Sequence, residues 1–278
     1  MPELPEVETI RRGLEREVVG KRIKTVEVTG NRSIRRHKTK KDFISRLEGT
    51  KVKSAKRRGK YIVLGLDSGE VLVAHLRMSG QLRRAQPKDA VEKHTHVVIT
   101  FTQGGQLRYV DPRTFGELFV VAKDRLAEDC PELGELGFDP IEDVMSWNDF
   151  GARLVAKKAQ LKAVLMDQKF VAGIGNIYSD EILWEAGLRY DRPSNTLSIQ
   201  EVRRLYRAIG EVLNEAIKQR GSSLADEQYR DLYGQVGGYQ LLHNVYARDG
   251  QPCKRCRHGI SKAKYAGRST FYCPSCQV

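Results

Sequence analysis

The sequence predicts an α+β chain of more than one domain, and three observations carry that expectation. Residues 22–121 break into short apolar runs of strand length, separated by turn residues. Beyond about residue 142 the apolar period becomes helical. Near the C-terminal end, four cysteines stand as two Cys-x2-Cys pairs. At 278 residues the chain is long enough to bury two cores.

The elements follow in order. Val7, Ile10, Leu14 and Val18 recur at helical spacing and Gly20 closes the run, which predicts a leading helix over 5–19. Strands are expected at 23–28, 61–66, 71–76, 97–101, 106–110 and 117–121, with turns at Asp67-Ser68-Gly69 and Gly104-Gly105. Their number and spacing suit an antiparallel sandwich or a barrel-like unit. Residues 122–142 hold Pro131, Gly134, Gly137 and Pro140 and read as an interdomain connection. Helices are expected over 159–168 and 177–186, around the glycine-broken turn Gly173-Ile174-Gly175-Asn176. Ser198-x-x-Glu201 is a capping-box pattern ahead of an apolar stripe running from Val202 to Ile217. Residues 221–250 have weak periodicity and many glycines and tyrosines, and are expected to form a mobile loop. The expected domains are 1–125, a linker at 126–145, a helical domain at 146–240 and a zinc-binding segment at 241–278.

Cys253-x2-Cys256-x16-Cys273-x2-Cys276 is the strongest local signal. Two knuckles of two thiolates complete a tetrahedral Zn²⁺ shell, and a closed shell makes the ion structural. His258 lies nearby, but four thiolates already suffice. Residues 251–278 carry Lys254, Arg255, Arg257, Lys262, Lys264 and Arg268 and no acidic residue. A zinc-stapled basic hairpin reads as a nucleic-acid probe. The fifth cysteine, Cys130, stands alone, and the set fits a reduced compartment with metal-bound thiolates.

A net charge of +13 points to a polyanionic partner, nucleic acid first. Basic housekeeping proteins share that balance, so charge alone names no function. No apolar run reaches the length of a membrane span, and the start lacks a secretory apolar region. The expected location is therefore cytoplasmic.

The chain opens Met1-Pro2-Glu3-Leu4-Pro5-Glu6. With Met1 removed, Pro2 presents a secondary amine able to form an iminium. An α-amino group titrates near pH 8, against about 10.4 for lysine, so much more of it is free base at neutral pH. Glu3 and Glu6 lie beside it as proton-transfer groups. The bland alternative is an ordinary proline in a terminal segment.

Other candidates come with alternatives. The Gly173–Asn176 turn could hold a phosphate on backbone N–H groups, with Lys157, Lys158 and Lys162 adding contacts. Glycine turns between helices and solvated lysine faces are also common. Arg57-Arg58-Gly59-Lys60-Tyr61 places Lys60 at the mouth of a strand. Met78, Arg113 and Phe115 sit on expected loop tips and could invade a duplex, the apolar residues as wedges and the arginine as a filler. Composition alone favours core packing for Met78 and Phe115. His94 and His96 could be a metal pair, but with no third ligand nearby a phosphate contact from His94 or a plain strand histidine fits better.

Together these segments resemble the formamidopyrimidine-DNA glycosylase/endonuclease VIII family, in particular its bacterial formamidopyrimidine-DNA glycosylase branch. The match runs the length of the chain, through MPELPEVET, RRGKY, HLRMSG, EKHTH, DPRTFG, GIGNIY and the cysteine ribbon. The resemblance implies a β-sandwich with a leading helix, then a helix-two-turn-helix domain ending in a zinc-ribbon hairpin. It implies a bacterial enzyme of base-excision repair, nucleoid-associated and monomeric. Its substrate is damaged double-stranded DNA, and it carries one structural zinc. Oxidised purines (8-oxoguanine, formamidopyrimidines) would be excised through a Pro2 Schiff base, and the abasic strand cut by β,δ-elimination. Glu3 would protonate the opening sugar, Lys60 would act near the reacting nucleotide, and Arg268 would contact phosphate and support cleavage. His94, Arg113, Lys157, Asn176, Met78 and Phe115 would contact DNA.

One region departs from the family's common form. Here Arg220-Gly221-Ser222-Ser223 stands where Gly-Gly usually precedes paired hydroxyl residues, and loop 224–239 lacks the usual Asp-Phe pair. That loop closes over the everted base in the family, so lesion range is where the departure bears. The alternatives are an endonuclease VIII-like glycosylase for oxidised pyrimidines and a non-catalytic zinc-ribbon DNA-binding protein.

Overall fold

The computed structural model describes residues 1–225 and 228–278; Asp226 and Glu227, within the expected base-capping loop, lie outside the described residues. The helices are α1 (Leu4–Glu17), α2 (Lys40–Ser45), α3 (Leu126–Asp129), α4 (Pro131–Gly134), α5 (Trp147–Ala156), α6 (Leu161–Met166), α7 (Asn176–Ala186) and α8 (Ile199–Lys218). The strands are β1 (Ile23–Val28), β2 (Val52–Arg58), β3 (Tyr61–Leu66), β4 (Glu70–His75), β5 (Gln81–Ala85), β6 (Thr95–Phe101), β7 (Gln106–Val110), β8 (Glu117–Ala122), β9 (Ser261–Tyr265) and β10 (Arg268–Tyr272). The chain packs as two units, residues 1–135 with 219–238 and residues 136–218 with 239–278.

The first unit is an antiparallel sandwich of two four-stranded sheets, ordered β1-β6-β7-β5 and β2-β3-β4-β8. Its core gathers Val26, Ile99, Leu107 and Tyr109 from one sheet and Ile62, Leu72 and Val120 from the other. Helix α1 adds Val7, Ile10 and Leu14 to the same core, as their helical spacing requires. Two strands that the sequence pattern misses, β2 and β5, are both edge strands. Lys53, Lys56, Arg83 and Arg84 obscure their alternation, and charge is how edges are kept from pairing with other chains.

In the second unit, α8 begins at the expected capping box. Glu201 accepts the Ser198 N–H at 2.8 Å, and Ser198 Oγ accepts the Glu201 N–H at 3.4 Å. Helix α5 is a further element that the pattern misses; Ser146 caps it by accepting the Asp149 N–H at 3.1 Å. Strands β9 and β10 form a hairpin whose turn residues Ala266 and Gly267 both have positive φ, 46° and 76°.

The segment expected as a mobile loop carries one short 3₁₀ turn, Tyr239–Leu241, and no strand among its described residues. Tyr229 and Leu232 are nevertheless buried in the sandwich core. Weak periodicity marks irregular backbone there, and aromatic anchors hold it down.

Candidate functional site

Strand register assembles one rim of the sandwich. Tyr61 pairs with His75 and His75 with Glu117, while Val110 faces both Gln81 and Thr95. The connections leaving these positions carry Lys60, Met78, His94, Arg113 and Phe115.

Asp111 organises that rim. Its fully buried carboxylate accepts the Ser79 hydroxyl at 2.5 Å, the Tyr109 hydroxyl at 3.0 Å, and the N–H groups of Arg113 at 3.2 Å and Gly116 at 2.9 Å. Its carbonyl lies 2.8 Å from His96 Nε2. One side chain therefore locks loops 76–80 and 111–116 together. A Cβ on Gly80 would sit 2.6 Å from the Leu76 carbonyl, so only glycine allows this closeness.

Upon this base Met78 is 42% exposed and Phe115 39%, so core packing, the reading that composition favours, is corrected for both. Arg113 is exposed and stacks over the Phe115 ring at 4.7 Å. Arg77, His94 and Thr114 adopt left-handed φ of 49°, 65° and 53°. Such strain in non-glycine residues clusters at functional loops. His94 is exposed, and His96 turns its Nε2 to the Asp111 carbonyl, as a plain strand histidine does.

Pro2 and Glu3 are buried at the head of α1. Glu6 accepts the Glu3 N–H at 2.8 Å and the Ser222 N–H at 2.7 Å, which joins this helix start to loop 219–238. Gly221 has φ 76°, and a Cβ there would lie 2.5 Å from Glu6 Oε1. Lys60 is buried in the turn between β2 and β3. Arg57 donates to the Gly59 carbonyl at 3.0 Å and pairs with Glu8 of α1 at 3.2 Å. Sequence reasoning did not single out His75, which packs on the Tyr61 ring at 4.3 Å. Burial, then the charges of Arg77 and Lys60, push its pKa down to about 3, and its Nδ1 is buried without a hydrogen-bond partner. The ring is therefore neutral at ordinary pH, at the strand mouth that also carries Lys60; its place in HLRMSG was the available signal.

In the second unit, Asn176 opens α7 and donates from Nδ2 to the Ser269 carbonyl at 3.0 Å, next to exposed Arg268. Its Oδ1 is buried without a partner. Gln168 shapes the glycine turn, accepting the Gly173 N–H at 2.9 Å and donating to the Ile174 carbonyl at 2.7 Å. Lys157 is exposed and pairs with Asp167 at 2.8 Å. Lys162 is not a surface contact. It is 0% exposed and pairs with Asp180 at 2.6 Å. Asp180 also accepts the Thr270 hydroxyl at 2.6 Å and the Phe271 N–H at 2.9 Å, so the pair fastens β10 to α7. A sequence shows a lysine's charge but not the buried carboxylate that holds it. Glu181, also missed, accepts the N–H groups of Asn244, Val245 and Tyr246 at 2.9–3.0 Å.

The Sγ atoms of Cys253, Cys256, Cys273 and Cys276 all lie within 4.8 Å of one another. Trp184 Nε1–H and the Arg255 N–H donate to Cys253 Sγ, and the Cys276 N–H to Cys273 Sγ, each at 3.4 Å. Four converging sulfurs with N–H donors outside them fit one tetrahedral zinc.

Comparison with known proteins agrees with this geometry. Family profiles match for the formamidopyrimidine-DNA glycosylase N-terminal domain at residues 1–118, its H2TH domain at 136–228, and the zinc finger found in FPG and IleRS at 250–278. The formamidopyrimidine-DNA glycosylase of Desulfitobacterium hafniense is 42% identical over 279 residues, covering 100% of both chains. That of Geobacillus kaustophilus is 43% identical over 277 residues, again covering 100% of both. The chain belongs to the formamidopyrimidine-DNA glycosylase family. It is a bifunctional DNA-repair glycosylase and abasic-site lyase with one zinc site. Lactococcus lactis Fpg, solved with abasic-site DNA, superposes with TM-score 0.90 at 35% identity over 99% of each chain. Thermus thermophilus MutM (Fpg) superposes with TM-score 0.88 at 39% identity over 99% of this chain and 98% of that one. Among the described residues no helix is long and apolar enough to cross a membrane.

Proposed function

We propose that this glycosylase removes oxidised purines, 8-oxoguanine and formamidopyrimidines, from duplex DNA and then cuts the abasic strand. The observation that carries the reading is the exposed Met78/Arg113/Phe115 set on two loops locked by Asp111, a wedge suited to everting a base. The wild-type Lactococcus lactis enzyme has been solved with DNA containing N7-benzyl-Fapy-dG, and a variant of it with DNA containing Fapy-dG, which supports the purine class.

After removal of Met1, the Pro2 nitrogen attacks C1′ and the damaged base leaves with the glycosidic electron pair. Glu3 supplies the proton for ring opening at O4′, and the nitrogen lone pair forms the iminium. Loss of a C2′ proton then expels the 3′-phosphate, and a second elimination expels the 5′-phosphate. Lys60 and His75 would hold phosphate on the first unit, with His94 at the same rim. Asn176, Lys157 and Arg268 would hold it on the second. The zinc holds the hairpin that carries Arg268 and takes no part in a chemical step. The protein acts as a monomer in the bacterial cytoplasm, on the nucleoid.

Borohydride trapping on duplexes with single oxidised purines or pyrimidines tests this reading. Trapping through Pro2 on purine lesions is expected, and its loss when Met1 is retained. Full trapping by protein that keeps Met1, or excision of pyrimidine lesions alone, would overturn it.

A further inference from the structure

The segment that runs from the end of β1 into the first residues of α2 has no part in the function above, although Arg35 within it reaches the wedge loop. Residues 31–41 contain Arg32, Arg35, Arg36, Lys38, Lys40 and Lys41 and no acidic residue. Its attachment is specific. Arg35 donates to the carbonyls of Gly116 at 2.9 Å and Phe115 at 3.1 Å, and lies 3.3 Å from Glu117. Arg36 forks onto Glu117 at 2.9 and 3.0 Å, also binds Glu132, and stacks over the Phe119 ring at 4.0 Å. His37 Nε2 accepts the Val120 N–H at 3.0 Å, which leaves Nδ1 to donate to Asp42 at 2.7 Å. Lys40 donates to the Thr29 carbonyl at 3.0 Å.

Those four side chains fasten the segment, and the contacts of Arg35, Arg36 and His37 occupy Glu117, Glu132 and Asp42. Arg32, Lys38 and Lys41 are left exposed. Among the described residues no hydrogen bond or ion pair engages their side chains. The position is also defined. Thr29 donates its N–H to the His96 carbonyl at 3.0 Å and its hydroxyl to the Thr95 carbonyl at 3.0 Å, so the segment leaves β1 at the rim that carries His94 and Phe115.

We propose that Arg32, Lys38 and Lys41 form a second DNA-binding surface, which takes the phosphates of the duplex flanking the lesion. The proposal rests on the reading of this rim as the duplex-facing side. A rigid platform of unpaired cations joined to the wedge loop suits a polyanion that continues past the wedge. It would add affinity without base selectivity, because phosphate contacts carry none. Through Arg35, flank binding and wedge position share one support.

The test compares the triple variant Arg32→Ala/Lys38→Ala/Lys41→Ala with the parent protein on abasic-site duplexes of two lengths. One spans about one helical turn, roughly 10 base pairs, and the other about three turns. Each lost phosphate contact should reduce the slope of log affinity against log salt by about 0.9. On the long duplex the slope should fall by about 2–3, with at least tenfold weaker binding at low salt. On the short duplex both proteins should bind and cut the abasic strand alike. Equal slopes on the long duplex would overturn the proposal, as would equal losses on both lengths with a lowered melting temperature. Tight binding of an acidic protein with no change in DNA binding would overturn it too. Failure of the parent to act on the short duplex would instead refute the rim reading.

Discussion

Arg57 and Glu8 form an ion pair of 3.2 Å in which both side chains are buried. The same guanidinium donates to the Gly59 carbonyl at 3.0 Å, so one residue joins the helix that carries Pro2 and Glu3 to the turn that carries Lys60. Arg11 and Arg12 also bind Glu8, at 3.0 and 2.8 Å. Burial raises the Glu8 pKa, but those hydrogen bonds and the Arg57 charge outweigh it and hold the carboxyl below 4.5.

Arg57→Met should therefore damage alignment more than it strands a charge. Breaking a buried pair typically costs about 3–5 kcal/mol, and the two remaining arginines should bring the loss nearer 2 kcal/mol. Urea unfolding measures that loss. Iminium trapping on a ready-made abasic site should slow about tenfold or more at the temperature where the variant is still folded, since misplacement of a reacting group is costly. Arg57→Lys keeps charge without the fork and should fall between the two. Trapping at the parental rate in Arg57→Met would remove the alignment role.

The wedge makes a second prediction. Phe115→Ala and Arg113→Ala should lose excision from paired DNA far more than trapping on an abasic site, where no base has to be everted. Both residues are exposed, so the variants should change stability no more than ordinary surface substitutions do, about 0.5 kcal/mol, with the melting temperature little moved. Equal losses on both substrates with a clear drop in melting temperature would assign the pair a packing role. Asp111→Asn should reproduce the substrate split and also destabilise, because that carboxylate accepts from four donors.

Zinc removal is the third case. Structural Zn²⁺ contributes about 10–16 kcal/mol of apparent free energy in small finger peptides. The hairpin's own apolar cluster is small, around Trp184, Val245, Ile260 and Phe271. Cys256→Ser should open it and weaken DNA binding through loss of support for Arg268. Elemental analysis should find one zinc per active chain, and active protein without zinc would refute the role.

Acid supplies the fourth. Glu201 is gripped by Arg192 at 2.6 and 2.9 Å and by the Ser198 N–H. Burial opposes ionisation, but these partners outweigh it and lower the pKa from 4.5 to about 2. A depressed carboxyl pKa stabilises the fold above the unfolded value and loses that contribution as pH falls through the folded value. Glu201→Gln should thus melt below the parent above pH 4.5, and the gap should close as pH is lowered from 4.5 toward 2. Calorimetry across that range decides it, and a gap independent of pH would refute the linkage.

Local pattern determined a good part of this protein. Helix α1, strands β1, β3 and β7 and the capped start of α8 were legible because each has a clean period bounded by turn or cap residues. The zinc ligands were legible because metal geometry imposes spacing on sequence. The family was legible because its chemistry depends on short contiguous motifs, and the matches cover the chain. Tertiary structure decided what depends on partners distant in sequence. It turned Met78 and Phe115 outward, buried Lys162 against Asp180, and packed residues 219–238 with the sandwich through Tyr229 and Leu232. It also made Asp111 the support of two loops and Arg35 the link between a basic segment and the wedge. The reason is physical. Periodicity and spacing record a residue's neighbours along the chain, whereas the burial of a charge or the exposure of a ring depends on which distant groups fold against it.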